Sequence, residues 1–514
     1  MDSPAIRYAA ASVERSGGVT SASNAVALLL VCGVAAAARA AYWIELSGSP
    51  WLEYLFCDEI WFDALAQEIL RGEPPGGAGA YDQPPAYGYF LASLYALLGR
   101  DLPAVRAVQL LLGVVNSGLL YLVARRAVGP KLALASGLVF AVWAPLFFFE
   151  AQLLKTVLVV FFNLLFFYAL LRCIERPGWG WGLAAGVLFG ASSITQPIAL
   201  PFLGVLAVWG WLRFRREPRV EVRRAWLAAA GALVAGTALV VGTVAVRNAV
   251  VGGEAVLISS NSGINLYLGV GSDFREKVAT RPGRKWDALY AREDDEYLGE
   301  SLRIIAHDPI GYVANGGTKL LRFANGHEAP RCRSLYAARK ASSLFSFLLW
   351  KRGVAFPFGL LFPLAVLGSV AVVRSGSTGA RLMLLFCATH VLLLCLLFVT
   401  ARFRMHVLPF LIVLASVGGA QLVGLGKRRA WPAAAVWALA LAALLVVSNW
   451  RVGPMRQEPF ADVYWTLGMN KLREGRPRRA CRHLERAAYL EPEREAEWSR
   501  YCSKRDRTPR DPES

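Results

Sequence analysis

Apolar runs of membrane-spanning length, separated by short polar segments, form the dominant pattern along the chain. A helix needs about 20 apolar residues to cross the hydrocarbon core of a bilayer, and the pattern predicts eleven such spans. They lie at 25–46, 104–123, 131–149, 152–172, 181–199, 200–214, 225–246, 352–373, 381–399, 405–425 and 431–449. The first run is long and lacks a clear small-residue cleavage site, so we expect it to remain as an anchor. The apolar segment 84–99 is shorter and opens with two prolines, which favours an interfacial or re-entrant helix.

The composition agrees with this pattern and argues against a soluble protein. Of the 514 residues, 55% are hydrophobic and 18% are charged, and the mean hydropathy is +0.41. Soluble domains carry about 25% charged residues. We therefore expect a mostly α-helical, polytopic membrane protein, with one membrane domain over 25–450 and a small helical domain over 451–514.

Positive charge predicts the orientation, because Lys and Arg in short loops mark the cytoplasmic side. The net charge is +19, and basic residues occupy every second loop. They are Arg125, Arg126, Lys131, Arg172, Arg176, the arginines of RFRREPRVEVRR between Arg213 and Arg224, Arg374, Arg381, Lys427, Arg428 and Arg429. The tail 1–24 is then cytoplasmic, whereas loops 47–103 and 247–351 and the region after Trp450 are external. No basic segment is interleaved with stacking aromatic residues, so nucleic acid is not an expected partner.

Cysteine and histidine positions give little support for a metal site. The chain has eight cysteines and five histidines, and no cysteines are paired at a close metal-ligand spacing. We therefore expect no metal and no other cofactor. Cys481 and Cys502 could form a disulfide in an oxidising compartment, and buried free thiols are an equal alternative.

Two charged motifs stand where the predicted topology places the external face. The motif CDEIWFDALAQEIL follows the first span and contains the adjacent carboxylates Asp58 and Glu59, which could catalyse a reaction or belong to a solvated loop. Asp63 lies about 140° around a helix from Asp58, so a solvated or capping role is expected for it. The motif TARFRMHVLP places Arg402 and Arg404 in a short external turn. These arginines could snorkel to lipid phosphates, or they could hold the phosphate of a lipid-linked substrate.

Five motifs, in this order, resemble membrane glycosyltransferases of the C-type fold that use polyprenyl-phosphate sugars. They are the Asp58–Glu59 pair, YDQPPAYGYFLASLYALLG, Arg106, FFFEAQLLK around Glu150, and ARFRMHVLP. The similarity is greatest to bacterial relatives of protein O-mannosyltransferase and of the lipid A aminoarabinose transferase, and it covers 25–450. It implies a polyprenyl-phosphate-linked sugar donor, and a site on the external face of the bacterial cytoplasmic membrane.

The same resemblance suggests roles for individual residues. Asp58 would be the general base for an acceptor hydroxyl, with inversion at the anomeric carbon, and Glu59 would orient the acceptor or a neighbouring cation. Arg106 would touch the donor phosphate or the acidic loop, with a snorkelling interfacial arginine as the alternative. Asp82 precedes the prolines at a position where related enzymes often carry an acid.

Further candidate contacts lie along the predicted external face. Glu150 and Lys155 cluster with Gln152 at the membrane edge, where they could bind substrate or neutralise each other. Asn261, Asn265 and Glu328 could contact the acceptor or the sugar, although ordinary turn formation explains them as well. GVGSD lacks the strand and helix context of a nucleotide-binding motif, so no nucleotide cofactor is expected.

The polar tail resembles a single tetratricopeptide repeat. Small residues and a terminal proline between Ala461 and Glu493 match its period of about 34 residues. A single repeat normally needs neighbours or a cap, and an ordinary two-helix hairpin lying on the membrane domain is the alternative. Either form could bind a protein partner.

The leading functional hypothesis is an inverting hexosyl- or pentosyltransferase embedded in membrane lipid, with a protein, lipid or glycan acceptor. The alternatives are a transporter or flippase of a lipid-linked sugar and a non-catalytic assembly scaffold. A transporter would favour charges in the middle of spans, of which the sequence has few. A scaffold would leave Asp58 dispensable.

Overall fold

A computed structural model describes most of the chain. The described residues are 21–47, 52, 54–270, 294–329, 333, 335–339, 341–350, 353–375, 377–450, 461–490 and 495–502. Most of the expected cytoplasmic tail 1–24, the end of GVGSD and the proline that would close the repeat lie outside the described residues.

Helices build almost all of the described chain. In the first half they are α1 (Ser21–Leu46), α2 (Asp58–Arg71), α3 (Ala86–Leu98), α4 (Leu102–Val128), α5 (Pro130–Ala141), α6 (Ala144–Glu150), α7 (Thr156–Glu175), α8 (Trp179–Thr195), a 3-10 turn (Pro197–Ala199), α9 (Phe202–Arg216) and α10 (Val220–Val250). In the second half they are α11 (Ser262–Val270), α12 (Asp294–His307), α13 (Pro309–Ala324), α14 (Leu335–Ala338), α15 (Ser343–Leu348), α16 (Phe358–Ser375), α17 (Thr378–Leu396), α18 (Ala401–Arg404), α19 (Leu408–Lys427), α20 (Trp431–Asn449), α21 (Ala461–Arg473), α22 (Pro477–Leu490) and α23 (Glu495–Tyr501). The predicted class, a polytopic helical membrane protein, is confirmed.

The number of spans is smaller than the sequence pattern predicted. Among the described residues, eight helices are long and apolar enough to cross a membrane. The pair α5 and α6, bent by 56°, makes a ninth if it is one span. Its break precedes Pro145, whose ring and missing N–H interrupt helical hydrogen bonding. The predicted span 181–199 corresponds to α8, which has 17 residues, and the predicted span 352–373 corresponds to the apolar part of α16, Phe358–Arg374. Neither helix is among the eight. The segment 84–99 forms the predicted short helix, α3, with 13 residues.

Small residues let several helices approach closely. A Cβ atom added to Gly186 would lie 2.1 Å from the Leu233 carbonyl oxygen, which brings the backbones of α8 and α10 together. Gly368 and Gly418 play the same role between α16 and α19, where added Cβ atoms would lie 1.8 Å and 2.2 Å from backbone oxygens. Close backbone approach at small residues is the usual way for helices to associate in lipid.

Contacts between loops define two opposite faces of the helical bundle. On the first face Arg126 at the end of α4 pairs with Glu175 at the end of α7 at 2.6 Å. At the same face the Ser377 hydroxyl, just before α17, donates to the Ala127 carbonyl, with an Oγ···O distance of 2.6 Å. The basic loops lie at this face. The opposite face carries the start of α2, the end of α10 and α18, and it is the external face of the predicted topology.

The C-terminal residues form a separate small helical unit. Its helices α21 and α22 pack as a hairpin, and Cys481 in α22 forms a disulfide with Cys502 after α23. Of the two alternatives for these cysteines, a disulfide or buried free thiols, the structure shows the disulfide. A two-helix hairpin is common to both interpretations of the tail, so the tetratricopeptide repeat stays a prediction.

We predict that the loop before α3 and the C-terminal unit lie on the same, external face. Cysteines introduced at the exposed positions Ala78 and Glu485 should react with an impermeant maleimide in intact cells, whereas one at Arg428 should react only after permeabilisation. The background would carry serine at the cysteines other than Cys481 and Cys502. Protection of either external position in intact cells would contradict the assigned topology.

Candidate active site

The turn that begins α2 determines where the two adjacent carboxylates point. Cys57 adopts a φ of 51°, a left-handed conformation that is uncommon for a residue with a side chain. Such a conformation costs of the order of 1–3 kcal/mol and persists only where the surrounding structure fixes it. Asp58 and Glu59 occupy the first turn of α2, where the helix dipole favours negative charge. They point to different environments.

Glu59 is buried and fully engaged by the protein. One carboxylate oxygen accepts from the Leu153 amide at 2.9 Å and lies 3.3 Å from the Arg106 guanidinium. The other accepts from the Phe56 amide at 2.9 Å and from Arg333 at 2.5 Å. The side chain is 1% exposed. Glu59 therefore holds the turn in place, and it is not among the residues that line the large cavity described below.

Arg106 and Arg333 complete this buried network. Arg106 is fully buried and donates to the carbonyls of Leu52 and Tyr54, so the snorkelling alternative is wrong and the guanidinium faces the acidic loop. Burial lowers the pKa of Arg333 to about 10, and the Glu59 carboxylate opposes that shift. Arg333 was not predicted, because a single arginine in a long external loop carries no signal that it folds back onto the start of α2.

Asp63 is a structural residue, and the prediction of a solvated or capping role is wrong. It is buried, and its carboxylate accepts from the Tyr95 hydroxyl at 2.6 Å and from Arg100 at 2.8 and 2.9 Å. The Gln67 amide adds a further hydrogen bond at 2.9 Å. Asp63 thus ties α2 to the end of α3. The expectation rested only on the angle between Asp58 and Asp63 around the helix, and that angle does not show that Tyr95 and Arg100 lie beside Asp63.

Asp58 faces the opposite direction and pairs with Arg402. The Arg402 Nη1 to Asp58 Oδ2 distance is 2.6 Å, and the two side chains are 9% and 22% exposed. This contact joins residues 344 positions apart in the chain. Both residues line a large cavity between the helix ends.

The cavity has a volume of about 1040 Å³ and gathers four of the predicted charged site residues, Asp58, Asp82, Lys155 and Arg402, together with the predicted Asn261 and Asn265. The four charged residues supply two carboxylates and two cations. Neutral polar side chains join them, and apolar residues form much of the remaining wall. The neutral residues are Gln83, Gln196, Ser259, Asn261, Ser262 and Asn265, and the apolar ones include Trp61, Pro197, Ile198, Leu200, Leu394, Leu397, Phe398 and Phe403. Gln83 and Gln196 were not predicted, although Gln83 lies inside the quoted YDQPP motif.

Arg404 and Glu328 lie outside the cavity and face each other. Arg404 is fully buried, donates to the carbonyls of Asn325 at 2.6 Å and His327 at 2.8 Å, and lies 3.4 Å from a Glu328 carboxylate oxygen. Burial raises the pKa of Glu328, and Arg404 partly offsets the increase. The two residues anchor the loop that follows α13 to α18, and the expected contacts of Arg404 with a phosphate and of Glu328 with a ligand stay predictions.

Glu150 pairs with Arg39 and not with Lys155. Arg39 donates to both Glu150 oxygens, at 2.7 and 2.9 Å, and both side chains are almost completely buried. Gly113 leaves room for this pair, since an added Cβ would lie 2.3 Å from Glu150 Oε2. Arg39 therefore takes the neutralising role that the sequence offered to Lys155, and the expected substrate contact of Glu150 stays a prediction. The signal that could have found Arg39 is its position within the first apolar run, where a charge requires a partner.

The described residues hold no group of three or more His, Cys, Asp or Glu side chains that could bind a metal ion. The cavity itself offers carboxylates, cations and amides of this chain. A carboxylate can accept a proton, and a guanidinium or an ammonium can hold a phosphate.

Comparisons with known proteins place part of the chain in context. Residues 82–241 match the family described as dolichyl-phosphate-mannose-protein mannosyltransferase. No curated protein matches the sequence. Among solved structures, the archaeal oligosaccharyltransferase AglB from Archaeoglobus fulgidus, in complex with an inhibitory peptide and a dolichol-phosphate, is similar at 15% identity and a TM-score of 0.45, over 90% of this chain and 59% of that chain. ArnT from Cupriavidus metallidurans, bound to undecaprenyl phosphate, is similar at 16% identity and a TM-score of 0.42, over 89% of this chain and 74% of that chain. The chain thus spans about three fifths of the length of the oligosaccharyltransferase.

We predict that Glu59→Gln strongly destabilises the protein. The change leaves two buried arginines facing a neutral group, and breaking a buried ion pair costs about 3–5 kcal/mol. Glu73→Gln is the matched control, because Glu73 forms an exposed pair with Arg71 and its loss should change stability little. Thermal unfolding in detergent, followed by tryptophan fluorescence, measures both. Equal unfolding midpoints for the two variants would show that the buried network does not hold the turn.

Proposed function

We propose that the protein is a glycosyltransferase that moves a sugar from a polyprenyl-phosphate donor to an acceptor hydroxyl at the external face of the membrane. The observation that carries this proposal is the Asp58–Arg402 pair at the wall of one large cavity. A carboxylate able to accept a proton lies there beside a guanidinium able to hold a phosphate. Transfer from a lipid phosphate requires both groups within one cavity, around the same sugar.

Arg402 and Lys155 form the proposed phosphate site. Both line the cavity, and both side chains are more than nine-tenths buried. Arg402 uses Nη1 to reach Asp58, and its Nε atom makes no hydrogen bond with the described residues. A planar guanidinium binds phosphate oxygens through two parallel hydrogen bonds, which a single donor cannot reproduce.

The apolar wall provides a path for the lipid chain of the donor. It is built by the residues around the 3-10 turn, such as Ile198 and Leu200, and by the end of α17, such as Leu394 and Leu397. Phe398 and Phe403 continue the wall toward Arg402. A polyprenyl phosphate would thus place its charged group at Arg402 and its isoprenoid units along apolar side chains, which gain free energy when they leave water.

The transfer step follows from the position of Asp58. The acceptor oxygen forms a bond to the anomeric carbon while the bond from that carbon to the donor phosphate oxygen breaks. Asp58 takes the proton of the acceptor hydroxyl, and the polyprenyl phosphate departs with the electron pair of the broken bond, stabilised by Arg402 and Lys155. A direct attack opposite the leaving phosphate inverts the anomeric configuration. The proton on Asp58 then passes to solvent, which restores the carboxylate.

The amide side chains of the cavity are the proposed sugar contacts. Gln83, Gln196, Asn261 and Asn265 each offer donors and acceptors that match the hydroxyl groups of a sugar ring. Asp82 lies beside Gln83 and can accept from a further hydroxyl. The match of residues 82–241 to the mannosyltransferase family covers Asp82, Gln83 and Gln196, whereas Asn261 and Asn265 lie outside it. Whether the sugar is a hexose or a pentose, and whether the acceptor is a protein, a lipid or a glycan, depends on how these groups are arranged around the ligands.

We predict that Arg402→Ala weakens binding of undecaprenyl phosphate, and that Arg402→Lys gives an intermediate loss. A hydrogen bond to a charged group contributes about 1.5–3 kcal/mol, which corresponds to roughly a 10- to 150-fold change in Kd. Isothermal titration of the purified protein with the lipid measures the affinity. Arg428→Ala, an exposed arginine at the opposite face, is the control. Unchanged affinity in Arg402→Ala would remove this residue from the phosphate site.

We predict that Asp58→Asn retains donor binding and loses sugar transfer. Loss of a general base lowers the rate about 10²–10⁴-fold. Protein in lipid vesicles is given a polyprenyl-phosphate sugar and candidate acceptors, and products are identified by mass. Glu73→Gln, at an exposed position just after α2, should transfer at the wild-type rate. Wild-type transfer by Asp58→Asn would exclude Asp58 as the base, and the result also separates catalysis from transport and from scaffolding.

A further inference from the structure

The C-terminal helical unit is seated directly on the residues that precede Asp58. Lys471 in α21 donates to the Tyr54 hydroxyl at 2.5 Å, and that hydroxyl donates to Glu474. Lys471 and Glu474 also pair with each other at 2.9 Å. The Tyr54 hydroxyl is thus held between a cation and an anion of the same unit, as acceptor of one and donor to the other.

Apolar packing extends the same contact toward the active site. Leu467 in α21 is 7% exposed and packs with Phe56 and Tyr54. Phe56 lies two residues before Asp58, and its ring stacks against the Arg333 guanidinium at 3.9 Å from the ring centre. The contact therefore ends within one turn of the proposed catalytic carboxylate.

The membrane domain holds segment 54–56 from the other side. The Tyr54 carbonyl accepts from Arg106 at 3.1 Å and from Arg333 at 3.3 Å, and the Phe56 amide donates to Glu59 at 2.9 Å. The segment is therefore fixed between the buried arginine network and α21. Cys57, in its left-handed conformation, follows immediately and turns the chain into α2.

The C-terminal unit has the internal structure needed to act as a rigid support. Leu484 in α22 is fully buried and lies close to Gly468 in α21, where an added Cβ would meet it at 2.5 Å. Trp498 packs with it in a small core that the disulfide between Cys481 and Cys502 closes. A body that is fixed by its own core can restrain the segment on which it rests.

We propose that Lys471 and Glu474 are positioning residues that act through Tyr54 to fix the turn carrying Asp58. The C-terminal unit is then part of the transfer machinery, and its role is not limited to recruiting a partner. This inference rests on the proposed function for its effect on transfer, whereas its effect on the turn can be measured without any substrate.

Tyr54→Phe is the most direct test, because it removes one hydroxyl and keeps the ring. The Lys471–Glu474 pair and the packing of Leu467 remain, so the unit itself should stay folded. Hydrogen exchange of full-length protein in detergent would be followed over 55–62, which includes the Glu59 amide bonded to the Phe56 carbonyl and the Ile60 amide bonded to the Cys57 carbonyl. We expect exchange there to accelerate about tenfold, and exchange over 461–502 to stay unchanged.

A second experiment, the sugar-transfer assay, measures kcat and KM for the donor in the same variant. We expect kcat to fall about tenfold while KM and the affinity for undecaprenyl phosphate stay constant, because a small displacement of a reacting group lowers the rate without weakening remote binding. Arg478→Met, which removes an exposed cation from α22, is the control and should behave as wild type in both experiments.

A charge exchange provides the rescue. In the double variant Lys471→Glu with Glu474→Lys, the Tyr54 hydroxyl can again lie between an anion and a cation, whereas each single variant presents two like charges to it. We expect both single variants to resemble Tyr54→Phe and the double variant to recover kcat. Wild-type exchange over 55–62 in Tyr54→Phe, or an unchanged kcat, would overturn the proposal. If Asp58→Asn transfers sugar normally, the proposed function fails, and the exchange measurement still decides whether the unit fixes the turn.

Discussion

The buried carboxylate of Glu59 is the interaction on which the site depends. It pairs with Arg106 and Arg333 and accepts from the backbone amides of Phe56 and Leu153, so that three distant parts of the chain, at Arg106, Leu153 and Arg333, converge on the turn that carries it. Two buried guanidinium groups without that carboxylate would repel each other at low dielectric, and their desolvation would be uncompensated. The carboxylate is therefore required for the start of α2, the external loop and the α6–α7 connection to meet.

This arrangement divides the charged residues into two groups with different roles. Glu59, Asp63, Glu150, Glu328 and Arg404 pair with oppositely charged residues of the protein and tie its helices and loops together. Asp58, Asp82, Lys155 and Arg402 line the cavity. The division follows from geometry, because Asp58 and Glu59 are consecutive in a helix and lie about 100° apart around its axis. One of them must face the buried arginines when the other faces the cavity.

The position of the C-terminal unit follows from the same segment. Its α21 helix rests on Tyr54 and Phe56, whose backbone groups already bind Arg106, Arg333 and Glu59. The tail thus contacts the turn that carries Asp58 through two residues, Tyr54 and Phe56.

The sequence by itself determined the helical membrane class and the short α3 helix, and it predicted an external face, because span length and the placement of positive charge are local properties of the chain. The order of its motifs, which resembles that of a glycosyltransferase family, also named Asp58, Asp82, Lys155 and Arg402 as candidates. Only the tertiary structure decided which charges are paired with one another. Arg39 lies 111 residues from Glu150, and Arg333 lies 274 residues from Glu59. A pairing over such a distance depends on how the helices pack, and no pattern of neighbouring residues encodes it. For the same reason the sequence could not show that Arg404 is buried while Arg402, two residues earlier, faces the cavity.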